Sequence, residues 1–261
     1  MIFEDFHVHT NFCDGNNSAE EMVRAAIDLK MKKLGFSGHG YTAFDQEYCM
    51  SCENTLRYVD EINTLKEKYK DKIQIFCGVE MDYYTEESLF NADYVIGSVH
   101  YVKKENRYLP VDMSEERFRF AAEELFDGDM YSLAESYFDV VGDVARKTNA
   151  DIIGHFDLIS KFNEGNKLFD AQNPRYIEAA KRAIDKLLPY NKPFEINTGA
   201  ISRGYRTMPY PDMHILEYIF KNSGRVVLSS DSHSADTLCF KFEEYERMAT
   251  EIGFKEFTFN I

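Results

Sequence analysis

Six of the seven histidines in this 261-residue chain lie in short motifs that close apolar runs. His7 and His9 sit in Phe6-His-Val-His-Thr10, and His39 lies between Gly38 and Gly40. His100 ends Ile96-Gly-Ser-Val-His100, His155 ends Ile152-Ile-Gly-His155, and His233 ends Ser229-Ser-Asp-Ser-His233. Glu80 closes a further apolar run, and Asp231 precedes His233 by two residues. Imidazole nitrogens and hard carboxylate oxygens together suit zinc, manganese or iron, and several strand ends carrying them point to one polynuclear centre.

Each residue has a plainer reading. A lone buried histidine is usually a hydrogen-bonded core residue, Asp231 could cap a helix, and a strand-end glutamate is usually solvated. The i, i+2 spacing of His7 and His9 puts both rings on one strand face, with Asp5 on that face as a possible supporting partner. A carboxylate such as Glu80 can bind two cations through its two oxygens. Arg203, in the polar loop Gly199–Arg206, could hold a phosphate bidentately. Lys161, shortly after His155, is a second candidate for the phosphate, and Arg206 a weaker one. Glu195 and Asn197 share a strand face and read as hydrogen bonders to the ligands. Cys49-Met-Ser-Cys52 lacks the second pair of a zinc knuckle, His214 reads as structural, and Tyr101 could line the pocket.

The elements that must position these groups alternate strand and helix. Asp5–His9 has a period of two, and Ser18-Ala-Glu-Glu21 reads as a capping box opening a helix to about Met31. Lys33–Ser37 reads as a strand, Asn54–Tyr69 as a helix, and Ile73–Glu80 and Tyr94–Val99 as strands. Further strands are expected at Ile152-Ile153, Phe194–Asn197 and Arg225–Ser230, with Phe257–Phe259 as a terminal addition. Ser114–Phe126 and Tyr131–Thr148 read as helices, so 101–150 is expected to be a helical insertion in a single domain spanning 1–261. Alternation of this kind gives a parallel sheet, and a closed barrel gathers all its strand ends at one mouth. The expected fold is α/β, a distorted (β/α)7 TIM-like barrel with the metal site at the C-terminal ends of the strands.

Composition narrows the partners. Thirty basic against 45 acidic side chains give a net charge of −15, which repels a nucleic-acid backbone. No apolar run reaches membrane-spanning length, so no membrane partner is expected. Five scattered cysteines suit a reducing compartment. The Met1–Phe6 segment leads directly into the His7 motif with no room for a cleavable leader, so a cytoplasmic location is expected. The sequence does not set the oligomeric state.

With these motifs in view, the chain resembles the polymerase-and-histidinol-phosphatase (PHP) family over essentially its whole length. The resemblance rests on Asp5–Thr10, Gly38-His39-Gly40, Gly78-Val-Glu80, Gly97–His100, Gly154-His155 and Ser230–His233. Gly154–Ile159, Phe194–Thr198, Arg203 and Pro209-Tyr-Pro211 look most like the monofunctional histidinol-phosphate phosphatases. That resemblance implies three divalent metal ions. His7, His9, Glu80 and Asp231 would hold the first, Glu80, His100 and His155 the second, and His39, His233 and Asp14 the third.

The implied reaction is hydrolysis of L-histidinol phosphate, a small phosphorylated metabolite of histidine biosynthesis. A hydroxide bridging two cations would attack phosphorus in line, since cation binding lowers water's pKa from about 15.7 to near 7. Asp231 or His233 would deliver a proton to the leaving alcohol. Three alternatives stand beside this reading: a phosphoesterase acting on nucleotides or nucleic-acid ends, a non-catalytic metal-binding module, and an amidohydrolase-type barrel.

Overall fold

Short parallel strands set the frame of the protein, a computed structural model that describes residues 4–85 and 90–261. Strand β1 (Glu4–Asp5) pairs with β2 (Lys33–Phe36), and β2 with β3 (Gln74–Cys77), all in parallel. After Gly78 the same line continues as β4 (Val79–Asp82), which pairs with β5 (Val95–Ser98). The next two strands, β6 (Tyr101–Lys104) and β7 (Arg107–Pro110), form an antiparallel hairpin outside this ring. β5 then pairs with β8 (Ile152–Ile153), β8 with β9 (Phe194–Asn197), and β9 with β10 (Val226–Ser229).

Beyond β10 the chain meets the segment after β1. The His9 amide donates to the Ser232 carbonyl at 2.8 Å, and the Ser232 amide to that of His7 at 3.0 Å. A parallel bridge between His39 and Glu80 extends the second strand line against the third. With β3 and β4 as halves of one strand, the parallel elements form the ring expected of a distorted seven-stranded barrel.

The break at Gly78 has a steric cause. A Cβ there would lie 2.3 Å from the ring of Tyr94. The Tyr94 hydroxyl donates to the carbonyls of Phe6 at 2.6 Å and Phe36 at 2.9 Å, pinning two strand lines together. Tyr94, Phe6, Ile96, Ile152, Val227 and Phe259 form one buried apolar cluster. The expected terminal strand does not appear among the described residues: Phe257–Phe259 pairs with none of them in a ladder. Instead the Phe259 amide donates to Glu4 Oε1 at 2.8 Å, and its ring packs edge-on against Phe6. Phe259 thus packs beside the first strand, while Phe257 joins the cluster that holds Phe194 and Leu228.

The crossovers follow their caps. Ser18 and Glu21 form the expected capping box on α1 (Ala19–Asp28), which ends three residues short of Met31. Ser51 caps α2 (Cys52–Tyr69). Residues 101–150 hold the unforeseen β6–β7 hairpin, then α3 (Glu115–Phe126), α4 (Met130–Val141) and α5 (Val144–Thr148). Phe118, Leu133 and Phe138 of these helices join the same apolar cluster as Phe194 of β9. On α6 (Pro174–Leu187), Tyr176, Ala180, Ala183 and Leu187 are buried at helical spacing. Then follow α7 (Gly199–Ser202), α8 (Met213–Lys221) and α9 (Phe242–Ile252). No described helix is long and apolar enough to cross a membrane.

Candidate active site

Most of the sequence-selected ligands lie just past the carboxyl end of a barrel strand, where the ladder ends and side chains turn inward. His7 and His9 follow β1, His39 follows β2, and Glu80 lies within β4. His100 follows β5, His155 follows β8, and Asp231 and His233 follow β10. Asp14 comes from the turn after His9, held by Cys13 and Gly15 amides donating to the Thr10 carbonyl. Asp231 has a left-handed backbone, φ 48°, an uncommon conformation that clusters at functional sites. A Cβ on Gly199 would sit 2.8 Å from Asp231 Oδ2, so only glycine lets that strand end approach so closely.

Glu80 is the hub. Its Oε1 lies 2.9 Å from His155 Nε2 and 3.5 Å from His100 Nε2. Its Oε2 lies 3.2 Å from His7 Nε2, 3.6 Å from His9 Nε2 and 2.9 Å from His39 Nδ1. Asp231 Oδ1 faces His9 Nε2 at 3.3 Å and His7 Nε2 at 3.7 Å. Asp14 Oδ2 lies 3.2 Å from His233 Nε2 and 3.6 Å from His39 Nε2. All nine candidates therefore come together. His9 and His39 depart from the expected grouping, because each faces two sets: His9 Nδ1 is also 3.7 Å from Asp14 Oδ1.

These residues fit divalent cations. Ligand atoms about 2.1 Å from a tetrahedral ion stand about 3.4 Å apart, near the spacings observed here. Nε2 of His7 and His9 and Glu80 Oε2, which face one another, are buried without a hydrogen-bond partner. Buried polar atoms are rarely left so, and the cluster of orphans marks a place for charge. Three overlapping groups have donor atoms close enough for an ion: His7, His9 and Glu80; His39, Glu80 and His100; His9, Asp14, His39 and His233.

Protons take the cations' part when none is bound. Burial opposes charge on His7, yet Glu195, Glu80 and Asp231 push its pKa well up. Burial, with His233 and His39 beside it, pushes His9 down to about 3. Burial also opposes the ionised Glu80, but His39, His7 and His100 hold it well below the usual carboxylate range.

A surrounding shell orients the ligands. Glu195 Oε1 lies 2.6 Å from His7 Nδ1, its Oε2 accepts the His155 amide at 2.9 Å, and Asn197 donates to Oε2 at 3.1 Å. Receiving the Nδ1 proton leaves His7 Nε2 free toward Glu80. The support expected of Asp5 falls to Glu195 instead. Asp5 is buried beneath the site, accepts the His7, Ser230 and Cys239 amides, and is pushed up to about 6 by burial. It ties the first strand to the last.

The cavity above the cluster, about 380 Å³, is lined by Arg203, Lys161, Asp112, Asp45, Tyr48 and Tyr101 among others. Arg203 Nη1 donates to the Asp231 carbonyl at 2.7 Å and its Nη2 to Asp231 Oδ2 at 3.0 Å. Lys161 Nζ donates to the Asp112 carbonyl at 2.8 Å and to its Oδ2 at 3.2 Å. Arg206 lies away from the cavity, buried against Asp212 and Ser160. Beside that pair, burial and then Asp212 push Asp157 up to about 7.

Three residues were missed from the sequence. Asp82 Oδ2 accepts the His100 amide at 2.8 Å and lies 3.3 Å from its Nδ1. The i, i+2 spacing of Glu80 and Asp82 could have revealed it. Tyr48, its ring centroid 4.8 Å from that of His39, and Asp112, just past the hairpin, gave no local signal. Cys49 and Cys52 form no disulfide, and His214 on α8 lies outside the site, with its Nδ1 3.4 Å from Gln172 Nε2.

The comparisons agree with this geometry. A Schizosaccharomyces pombe protein named "Probable histidinol-phosphatase" is 29% identical over 248 residues, covering 87% of this chain and 79% of that one. A Listeria monocytogenes crystal structure superposes with a TM-score of 0.79 at 19% identity, over 93% of this chain and 99% of the other. A second, of histidinol phosphate phosphatase from Lactococcus lactis complexed with zinc, L-histidinol and phosphate, gives 0.71 at 22%, over 97% and 95%. The profile of the PHP domain matches residues 5–199, from the first strand past the sixth strand line. A match of that extent, over strand ends that converge on one histidine-rich centre, means that the chain belongs to the PHP domain family.

Proposed function

We propose that the protein is a metal-dependent phosphomonoesterase that hydrolyses L-histidinol phosphate to L-histidinol and phosphate. The observation that carries this reading is the convergence of nine nitrogen and oxygen ligands, several of them buried orphans, beneath a cavity bearing two cations. The Lactococcus lactis protein, alike in fold, was solved with zinc, L-histidinol and phosphate.

His7, His9, Glu80 and Asp231 would hold one ion, His100 and His155 with Glu80 a second, and His39, His233 and Asp14 a third. Zinc, manganese and iron all suit such mixed ligands. Bound there, divalent cations supply a more acidic water and offset negative charge on the phosphoryl group.

The chain's own groups do the rest. Arg203 and Lys161 hold the phosphate oxygens from the cavity side, Arg203 with its guanidinium plane set by Asp231. His233 Nδ1 lies 2.9 Å from Arg203 Nη1, which donates to it, and Nε2 faces Asp14 Oδ2 at 3.2 Å. Asp231 or His233 would pass a proton to the leaving alkoxide. The buried floor keeps bulk water from the ligands.

The test is phosphate release from L-histidinol phosphate beside a panel of other phosphomonoesters and a nucleotide, with metal content measured on the same sample. Preference for histidinol phosphate with about three ions per chain is expected. A fully metallated protein with no turnover on any phosphomonoester would overturn the reading.

A further inference from the structure

The Asp112–Lys161 ion pair is the one opposite-charge pair in the cavity, among the described residues, that the proposed metal ligands and their supports leave unused. Asp112 comes from the segment between β7 and α3, outside the barrel ring, whereas Lys161 lies in the connection that follows β8 and His155. Lys161 Nζ meets Asp112 through both its carbonyl and Oδ2, with the two side chains 13% and 24% exposed. The ammonium also lies 4.9 Å from the Tyr205 ring centroid, so cation–π attraction helps to hold it at the rim. Asp45, on the same wall, is held by the Tyr101 hydroxyl at 2.7 Å, and Tyr101 pairs with Pro110 on the hairpin that leads to Asp112. Thus the hairpin side of the cavity is acidic, while Arg203 lies beside Asp231 and the strand ends.

We infer that Asp112 and Lys161 form a preassembled receptor for a phosphomonoester whose body carries a cationic amine, and that substrate opens the pair by exchanging partners with it. The phosphate takes Lys161, and the substrate ammonium takes the Asp112 carboxylate. Each charge leaves one partner for another, so none is stranded in a half-buried cavity. A phosphomonoester with a neutral body also recruits Lys161, but it leaves Asp112 as an unpaired carboxylate close to the phosphate. Like-charge repulsion then rejects it, so Asp112 is a specificity-determining residue through attraction of one substrate class and repulsion of the other. This rests on the phosphomonoesterase reading but not on histidinol phosphate being the natural ester.

The experiment compares kcat/KM for two matched ester pairs in the metallated enzyme. One pair is L-histidinol phosphate and its analogue with hydrogen in place of the amine. The other is 2-aminoethyl phosphate and ethyl phosphate, which reports on amine selection even if the histidinol reading fails. Asp112→Asn is expected to lower kcat/KM for each amine-bearing ester and raise it for its neutral partner. Their ratio should shrink about ten- to a hundredfold, the scale of a charged hydrogen bond. Lys161→Met should weaken both members of a pair while keeping or enlarging the ratio, a second reading should Asp112→Asn fold poorly. Equal losses on both esters in Asp112→Asn, or a ratio that falls in Lys161→Met, would overturn the receptor. Loss of all phosphomonoester turnover in the unmodified enzyme would instead strike the phosphomonoesterase reading itself.

Discussion

At the scale of single residues, the site separates the proposed ion-holding groups from the groups that orient them. Asp231→Asn keeps the shape of a proposed ligand but removes its charge, so phosphatase activity is expected to fall about a hundredfold or more while circular dichroism is unchanged. Glu195 acts one step back, through His7 Nδ1 and the His155 amide. Glu195→Gln should therefore weaken metal retention about ten- to a hundredfold, read by dialysis against a chelator, and a tightly metallated variant would contradict that role. Arg203→Ala should raise KM for phosphomonoesters about tenfold or more with metal content close to normal. An unaltered KM would take Arg203 out of the phosphate grip. The convergence of the histidine and carboxylate candidates was legible in the sequence because their types are chemically restrictive. Asp112 and Tyr48 were not, because a lone acid or tyrosine in a connecting segment has many ordinary uses.

At the scale of elements, the strand ends were readable and the connections less so. Capping chemistry is local, so Ser18 and Glu21 announced α1 correctly. The β6–β7 hairpin escaped notice because Lys103–Arg107 is charged and lacks the apolar alternation of a half-buried strand. Phe257–Phe259 has that alternation, yet its two rings join separate apolar clusters and no strand among the described residues pairs with it. Gly78 shows how one element depends on another: it is small because Tyr94 crosses the strand line there. Gly78→Ala should cost about 1–3 kcal/mol in chemical denaturation, the usual penalty of overpacking. A neutral outcome would mean that the Tyr94 ring can shift without loosening its bonds to Phe6 and Phe36.

At the scale of the whole molecule, the proposed metal centre draws on six strand lines, so ion binding and stability should be linked. Proton and cation compete for the same nitrogens: Glu195, Glu80 and Asp231 raise the His7 pKa in the absence of metal, so acidification favours the protonated, metal-free form. Chelation should be easier at pH 5.5 than at 7.5. The stripped protein should melt several degrees lower, since ligand at about a thousandfold over its Kd contributes roughly 4 kcal/mol. Equal Tm values with and without metal would mean that the scaffold holds its ligands without help. The segment 101–150 shares a core with the barrel through Phe118, Leu133 and Phe138, and we propose that the two unfold as one domain. Calorimetry of the metal-free protein would test this, with two resolved transitions counting against it.

The sequence by itself determined the chemistry of the centre and the alternation that makes a parallel barrel. Residue type and short-range spacing carry both, and neither needs knowledge of distant partners. Only the tertiary structure decided which groups share space. It put Glu195 rather than Asp5 on His7, made His9 and His39 face two ligand sets each, and joined Asp112 to Lys161 across 49 positions. The reason is physical: such pairings depend on how strands are staggered and how an insertion folds back, which no local pattern encodes.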